Sequence, residues 1–163
     1  MTEDKTCFFS GHRHIPQKRI EGVKQKLRAY ICELANNGVT HFIAGGALGF
    51  DTLCADTIIE LQEKSVDFAK KVRLSLYLPC YNQTQNWSAE DKYHFNMIKF
   101  KASDYQYITN NTYTAGCMRK RNYAMVDNSD MGIVYLTKHK SGTSQTVAYA
   151  TRKGHKIINI AAI

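Results

Sequence analysis

The sequence predicts a Rossmann-like, doubly wound α/β fold, with a mostly parallel sheet of about six strands and helices on both faces. Apolar strand segments alternate with segments of helical periodicity along the whole chain, and several strands end in Gly, Ser or Pro. The 163 residues suit a single domain, predicted over 1–163, whereas a closed eight-stranded barrel would need about 250. Right-handed crossovers between parallel strands then place helices on both sides of the sheet.

The first half of the chain contains three predicted strand-and-helix pairs. The strands are short apolar or β-branched runs such as VTHFIA, and the helices keep apolar residues at three- and four-residue spacing. Asn36-Asn37-Gly38 ends the first helix, Gly45-Gly46 ends the second strand, and Ser88 is the predicted N-cap of the third helix. The elements are strand 5–11, helix 17–37, strand 39–44, helix 51–63, strand 72–79 and helix 89–102.

The second half continues the same alternation. DMGIVYLT is a buried-type strand, and SGTSQTVAYA begins with the hydroxyl and glycine residues that favour a helix start. The elements are strand 105–109, helix 118–128, strand 130–137, helix 142–153 and strand 156–160.

Composition sets the broad class of protein. The formal net charge of +8 favours anionic partners, although lysines and arginines are spread along the chain, so a solvated basic surface explains the charge equally well. No apolar run reaches the ~20 residues of a membrane span, and the N-terminus lacks a signal-peptide pattern, so a cytoplasmic protein is expected. The five cysteines form no C-x-x-C pair, so we expect reduced thiols and no metal site.

The unusual residues follow the predicted strands. In open parallel sheets, ligands bind outside the carboxyl ends of the strands, where helix N-termini attract anions. Loops of this kind follow strands one, two, three and five, at Ser10–Arg13, Gly45–Asp51, 79–87 and 140–143. The sequence therefore predicts one crevice where these loops converge.

Three of these loops carry candidate phosphate ligands. The glycines of GGALGFD allow close backbone approach, although a tight strand-to-helix turn accounts for them too. Asp51 is read as a cap of the second helix in preference to a ligand contact. Ser141, Gly142 and Thr143 are either phosphate ligands or N-cap residues. His12 and Arg13 either clamp a phosphate or lie exposed.

The loop after strand three, residues 79–87, offers candidates for contact with a base. Trp87 could stack on a base while Gln83 reads its edge, or Trp87 could pack on a helix. Catalytic motifs are sparse, because the chain has no Walker A motif and no Gly-x-Ser-x-Gly elbow. Arg121 and Asp51 are the candidate catalytic residues, and binding is the preferred function.

Four motifs in this order, CFFSGHR, HFIAGGALGFDTLCAD, LPCYNQTQNW and SGTSQTVAYA, resemble the YpsA-like branch of the SLOG superfamily. The superfamily includes the LOG phosphoribohydrolases and the Rossmann-like domain of the DNA-processing protein DprA. The resemblance implies a nucleotide-type ligand at these loops, and by analogy a homodimer. No other cofactor is predicted.

Departures from the LOG motifs bear on catalysis. Met118, Arg121 and Met125 match M-x-x-R-K-x-x-M, but Asn122 replaces its lysine, and Thr146 stands where P-G-G-x-G-T-x-x-E has glutamate. Without that carboxylate, N-glycosidic cleavage loses its expected acid–base partner. We therefore expect binding of a nucleotide or related phosphorylated ligand, in a sensing or sequestering role, with a phosphoribohydrolase as the alternative.

Single-stranded nucleic-acid binding is the third possibility, since Arg121-Asn122 is similar to an R-N pair of DprA. The predicted ligand-binding residues are Ser10, Gly11, His12, Arg13, Gly45, Gly46, Ala47, Gly49, Asp51, Pro79, Gln83, Trp87, Arg121, Asn122, Ser141, Gly142, Thr143 and Thr146.

Overall fold

The computed structural model describes residues 4–109 and 112–162 as six parallel strands with helices on both faces of the sheet. The strands are β1 (Lys5–Gly11), β2 (Val39–Ala44), β3 (Arg73–Leu78), β4 (Asp104–Tyr107), β5 (Met131–Tyr135) and β6 (Lys156–Asn159). The helices are α1 (Gln17–Asn36), α2 (Phe50–Lys64), α3 (Val66–Lys71), α4 (Ala89–Lys101), α5 (Cys117–Asp127) and α6 (Gly142–Arg152), and a 3₁₀ turn follows at Ile160–Ala162.

The predicted fold class is confirmed, and every strand pairing in the described sheet is parallel. Helix α3 is absent from the elements predicted from the sequence; it is a short surface helix that buries none of its residues. Ser65 caps this helix by accepting a hydrogen bond from the Phe68 amide at 3.2 Å. A six-residue helix without a buried stripe has no apolar period to detect.

The strand order β4-β3-β2-β1-β5-β6 places β1 in the middle of the sheet. The chain builds outward from β1 to β4, then crosses back to lay β5 on the other side of β1. Gly11 and Tyr135 are register partners at the carboxyl ends of β1 and β5. This is the switch point of the topology, where the loops after neighbouring strands turn to opposite faces and leave a crevice.

Two hydrophobic layers hold the sheet. Phe9 of β1 points into the larger layer beneath α1, α2 and α4, where it stacks on Phe42 with ring centroids 5.6 Å apart. Its neighbour Phe8 points into the smaller layer, together with Met125 of α5 and Ala150 of α6. This alternation across β1 is what a strand buried on both faces requires. Of the helices within 4–109 and 112–162, none has the length and apolarity to cross a bilayer.

Candidate functional site

A crevice of about 270 Å³ opens at the switch point between β1 and β5. It is formed by the β1–α1 loop, the loop between β2 and α2, the first turns of α5 and the N-terminus of α6. Predicted ligand residues that line it are Ser10, Gly11, His12, Arg13, Ala47, Asp51, Arg121, Asn122, Ser141, Gly142 and Thr143. The structure therefore brings together residues from four separate segments of the sequence.

The glycines between β2 and α2 set the close packing of this region. Gly49 has a φ of +85°, and a Cβ there would lie 2.1 Å from the Arg13 carbonyl oxygen. A Cβ at Gly45 would lie 2.6 Å from a guanidinium nitrogen of Arg121 and 2.8 Å from Oδ2 of Asp51. Only residues without a side chain fit between these groups. Gly45, Gly46 and Gly49 therefore act as spacers that let the loop pack closely, and they do not themselves line the crevice.

Arg121 and Asp51 form a buried pair of opposite charges at the base of the crevice, only 3% and 6% exposed. Arg121 donates through Nη1 to the Gly45 carbonyl and through Nε to Oδ1 of Asn122 at 2.7 Å. Its Nη2 faces the Met118 sulfur at 4.0 Å. Because sulfur is a weak acceptor, this donor is open to a stronger one such as a phosphate oxygen.

Burial dominates the protonation of the pair. Desolvation raises the pKa of Asp51 to about 6, although the charge of Arg121 and the amides of Ala47 and Gly45 oppose the rise. Burial likewise lowers the pKa of Arg121, and Asp51 opposes that shift. The interpretation of Asp51 as a helix cap is wrong, because Gly49 occupies the N-cap position and Asp51 lies in the first turn. Its Oδ2 instead accepts from the Ala47 amide at 3.3 Å.

Helix α6 begins at the wall of the crevice with a capping box. Ser141 Oγ accepts from the Ser144 amide at 3.1 Å, and Ser144 Oγ accepts from the Ser141 amide at 3.0 Å. The N-cap interpretation of Ser141 is thus confirmed. The amides of Gly142 and Thr143 belong to the first turn, where an α-helix provides no carbonyl acceptor. With the positive end of the helix dipole, they form an anion-binding surface.

His12 ties two of the loops together. Its Nε2 accepts from the amides of Thr137 at 2.9 Å and Lys138 at 3.2 Å, and the ring packs edge-on against Tyr135. Burial, with the charge of Lys138, lowers the pKa of His12, which keeps the ring in the neutral form that such acceptance requires. Only Nδ1 is left for the predicted ligand contact. Arg13 is exposed at the rim.

Trp87 and Gln83 lie outside the crevice. Trp87 packs edge-to-face on Phe95, with centroids 5.6 Å apart, in a second cavity of about 310 Å³ against α1, α2 and α4. Gln83 Nε2 donates to the Gly46 carbonyl at 3.1 Å and so ties the loop after β3 to residues 45–49 between β2 and α2, which we call the glycine loop. Its Oε1 is the one buried side-chain oxygen in residues 4–109 and 112–162 that has no hydrogen-bond partner.

Pro79 and Thr146 also lie outside the crevice. The Pro79 carbonyl accepts from the Thr109 hydroxyl at 2.7 Å. Thr146 is fully buried, and its hydroxyl donates to the Gly142 carbonyl at 2.8 Å.

Met118, which lines the crevice, was missing from the predicted ligand residues. Its position one helical turn before Arg121 was the available signal.

The fold and the crevice define a Rossmann-like α/β domain with a buried arginine and a helix N-terminus at its switch point. Residues 9–161 match the YspA SLOG family (YpsA), and the chain belongs to that family. The resemblance drawn from the sequence motifs is confirmed. UPF0398 proteins of Bacillus thuringiensis (strain Al Hakam) and Bacillus cereus (strain AH187) are each 23% identical over 141 residues, covering 86% of this chain and 74% of theirs.

Solved structures show the same fold. A structure describing the single-stranded DNA binding mode of DNA processing protein A from Helicobacter pylori aligns with a TM-score of 0.62 and 18% identity. DNA processing protein A from Streptococcus pneumoniae aligns with a TM-score of 0.65 and 15% identity. The alignments cover 94% of this chain, which spans 64% of the first protein and 49% of the second.

Proposed function

We propose that this protein binds a nucleotide or another phosphorylated small molecule in the crevice between β1 and β5. The observation that carries the proposal is the state of Arg121, whose guanidinium is buried while its Nη2 faces only the weak acceptor Met118. Burying a guanidinium is costly unless strong acceptors pair with its donors. A phosphate oxygen in the crevice would complete the hydrogen bonding of Arg121.

The opposite wall of the crevice supports the same ligand class. Gly142 and Thr143 offer first-turn amides, and Arg13 at the rim has an exposed, charged side chain. A net charge of +8 adds a general attraction for anions. Asp51 opposes this attraction when it is ionised, so we expect binding to strengthen as the carboxyl gains its proton near pH 6.

The test compares two substitutions of the same shape at the start of α6. Gly142 is exposed and a Cβ there would meet no atom within 4 Å, so both Gly142→Asp and Gly142→Asn should fold. Thermal unfolding is followed against nucleoside mono-, di- and triphosphates, nucleotide sugars, ADP-ribose derivatives and cyclic dinucleotides, since a ligand of the folded state raises the midpoint. We expect a midpoint shift that G142N retains and G142D loses. A shift that survives in G142D, or none with any compound, would overturn the proposal.

Catalysis by the phosphoribohydrolase route is less well supported. The position of the LOG glutamate is occupied by Thr146, which is fully buried and bonded to the backbone, so it supplies no carboxylate to the crevice. The nearest substitute is Asp51, with its pKa raised to about 6. Incubation with nucleoside monophosphates should release no free base, and release that Asp51→Asn abolishes would favour the enzyme instead.

Single-stranded nucleic-acid binding is the second candidate function. Two observations favour it: the net charge of +8, and the fold shared with DNA processing protein A, whose single-stranded DNA binding mode has been described. A labelled single strand should then bind with an affinity that falls steeply as salt rises, because phosphate neutralisation releases counterions. A flat salt response would count against this candidate.

A further inference from the structure

Three tyrosines and a lysine form a continuous surface group at the outer edge of the sheet, which we call the β4 edge cluster. Its members are Tyr81, Lys99, Tyr105 and Tyr107. The rings of Tyr81 and Tyr107 lie 4.5 Å apart, and those of Tyr105 and Tyr107 lie 6.0 Å apart. The lysine nitrogen lies 4.6 Å from the Tyr105 ring centroid and donates to the Tyr107 hydroxyl at 2.8 Å. The rings are therefore positioned by one another and by a cation.

The cluster is open to solvent. Tyr105 is 47% exposed on β4, which is one of the two edge strands of the described sheet, and Tyr81 in the loop after β3 is 56% exposed. Only Tyr107 is partly covered by the hydrophobic layer beneath α4. Contiguous exposed aromatic rings are uncommon on a protein surface without a binding role.

The chemistry of the cluster matches a single-stranded nucleic acid. Every base has a π-face that stacks on a tyrosine ring, and the backbone of the nucleic acid carries phosphates that a lysine attracts. Lys99 lies against two of the rings, so a short stretch of single-stranded nucleic acid can stack a base on a ring and place a phosphate near the lysine. The arrangement discriminates poorly between bases, because stacking depends on the ring face and not on hydrogen bonding.

The cluster is also linked to the loop between β2 and α2, through the loop that follows β3. Tyr81 lies in this loop, and Gln83 two residues later donates to the Gly46 carbonyl of the glycine loop. Asn82 accepts from the Tyr113 amide at 2.7 Å, which brings a further exposed tyrosine to the same side. The loop after β3 therefore carries Tyr81 of the cluster on one side and a hydrogen bond to the loop between β2 and α2 on the other.

We infer that the β4 edge cluster is a stacking platform for the bases of single-stranded nucleic acid. The inference rests on the second candidate function and does not depend on a nucleotide binding in the crevice. A second copy of this chain is a weaker match for the surface, because each copy carries a net charge of +8 and two copies repel each other. The same positive charge attracts a polyanion such as single-stranded nucleic acid.

The experiment measures fluorescence anisotropy of a labelled oligothymidylate with the full chain and four variants. Tyr81→Ala and Tyr105→Ala each remove one exposed ring, Tyr105→Phe keeps the ring, and Tyr93→Ala removes a control tyrosine that is 69% exposed outside the cluster. We expect about tenfold weaker binding for each cluster alanine variant, and wild-type affinity for Tyr105→Phe and Tyr93→Ala. Midpoints of thermal unfolding confirm that each variant is folded.

Four outcomes overturn the platform: absence of binding by the wild type, no effect of either cluster alanine variant, an equal loss in Tyr93→Ala, or a dimer in sedimentation that Tyr105→Ala dissociates. The last outcome would assign the surface to a second copy. The thermal shift produced by small phosphorylated ligands should be the same in Tyr105→Ala and wild type. Failure of the platform is thereby separated from failure of the crevice proposal, which Gly142→Asp tests.

Discussion

The crevice at the switch point and the β4 edge cluster both collect unusual side chains, but different forces hold them. In the crevice, Arg121 and Asp51 are buried against Gly45, which leaves no space for a Cβ beside them, so tertiary packing fixes their positions. At the edge, Tyr105 is supported by a neighbouring ring and by Lys99, with solvent on its other side. The crevice should therefore be rigid and sensitive to substitution, whereas the edge should tolerate substitution.

The largest expected effect comes from breaking the buried pair. Arg121→Met should lower the free energy of unfolding by about 3–5 kcal/mol, because it removes the buried hydrogen bonds to Gly45 and Asn122 and the opposite charge near the Asp51 carboxylate. Adding Asp51→Asn to that variant should recover at least about 1 kcal/mol, since the unpaired charge is then gone. Urea unfolding at pH 7 measures the free energy of unfolding of the single and the double variant. With Asp51→Asn alone measured as well, a cost of the double variant equal to the sum of the two single costs would show that the two side chains are not coupled.

A smaller effect is expected from filling the space beside the β1–α1 loop. Gly49→Ala should cost about 3 kcal/mol, because its Cβ would collide with the backbone carbonyl of Arg13. Gly116→Ala is the control for a positive φ without a collision: Gly116 has a φ of +84° and a ψ of −3°, and a Cβ there meets no atom within 4 Å. Gly49 has a similar φ of +85°, but its ψ of −122° lies outside the left-handed helical region, which adds to the cost of a Cβ at this position. Gly116→Ala should lower the free energy of unfolding by only about 1–2 kcal/mol, which is the penalty for a residue with a Cβ in the left-handed region. Similar midpoints for the two variants would show that the loop packing is not tight.

The next effect depends on pH. Asp51 holds its proton more tightly in the folded state, with a pKa of about 6, than at its ordinary value of 3.8. The folded state therefore binds more protons between these values, and the contribution of Asp51 to stability falls as pH rises through them. The stability difference between Asp51→Asn and wild type should shift by about 2–3 kcal/mol in favour of the variant from pH 4 to pH 7. A difference that is constant with pH would place Asp51 in a solvated site.

The smallest effect is expected at the edge. Tyr105→Ala should change the free energy of unfolding by less than about 1 kcal/mol, because a half-exposed ring contributes little packing. The same urea titration measures the free energy of unfolding of Tyr105→Ala and compares it with that of Arg121→Met. A cost equal to that of the arginine variant would mean that the edge ring belongs to the core.

The sequence identified much of the crevice in advance. Glycines, hydroxyl residues and basic residues after strands one, two and five predicted that Ser10–Arg13, the glycine loop and Ser141–Thr143 would meet, because parallel strands end at the same edge. Trp87 and Gln83 were predicted in the same site from their loop position. They face α4 and the glycine loop instead, because side-chain direction in an irregular loop depends on packing partners that spacing does not reveal.

Local periodicity and turn residues encode the alternation of strands and helices, the family and the segments that form the crevice. They do not encode the contact of Arg121 with Gly45 beside Asp51, or the position of β4 at an edge of the sheet with Tyr105 exposed. Both depend on strand order and on contacts between segments far apart in the chain. Such contacts leave no periodic signal in the sequence, so only the packed fold shows which residues meet.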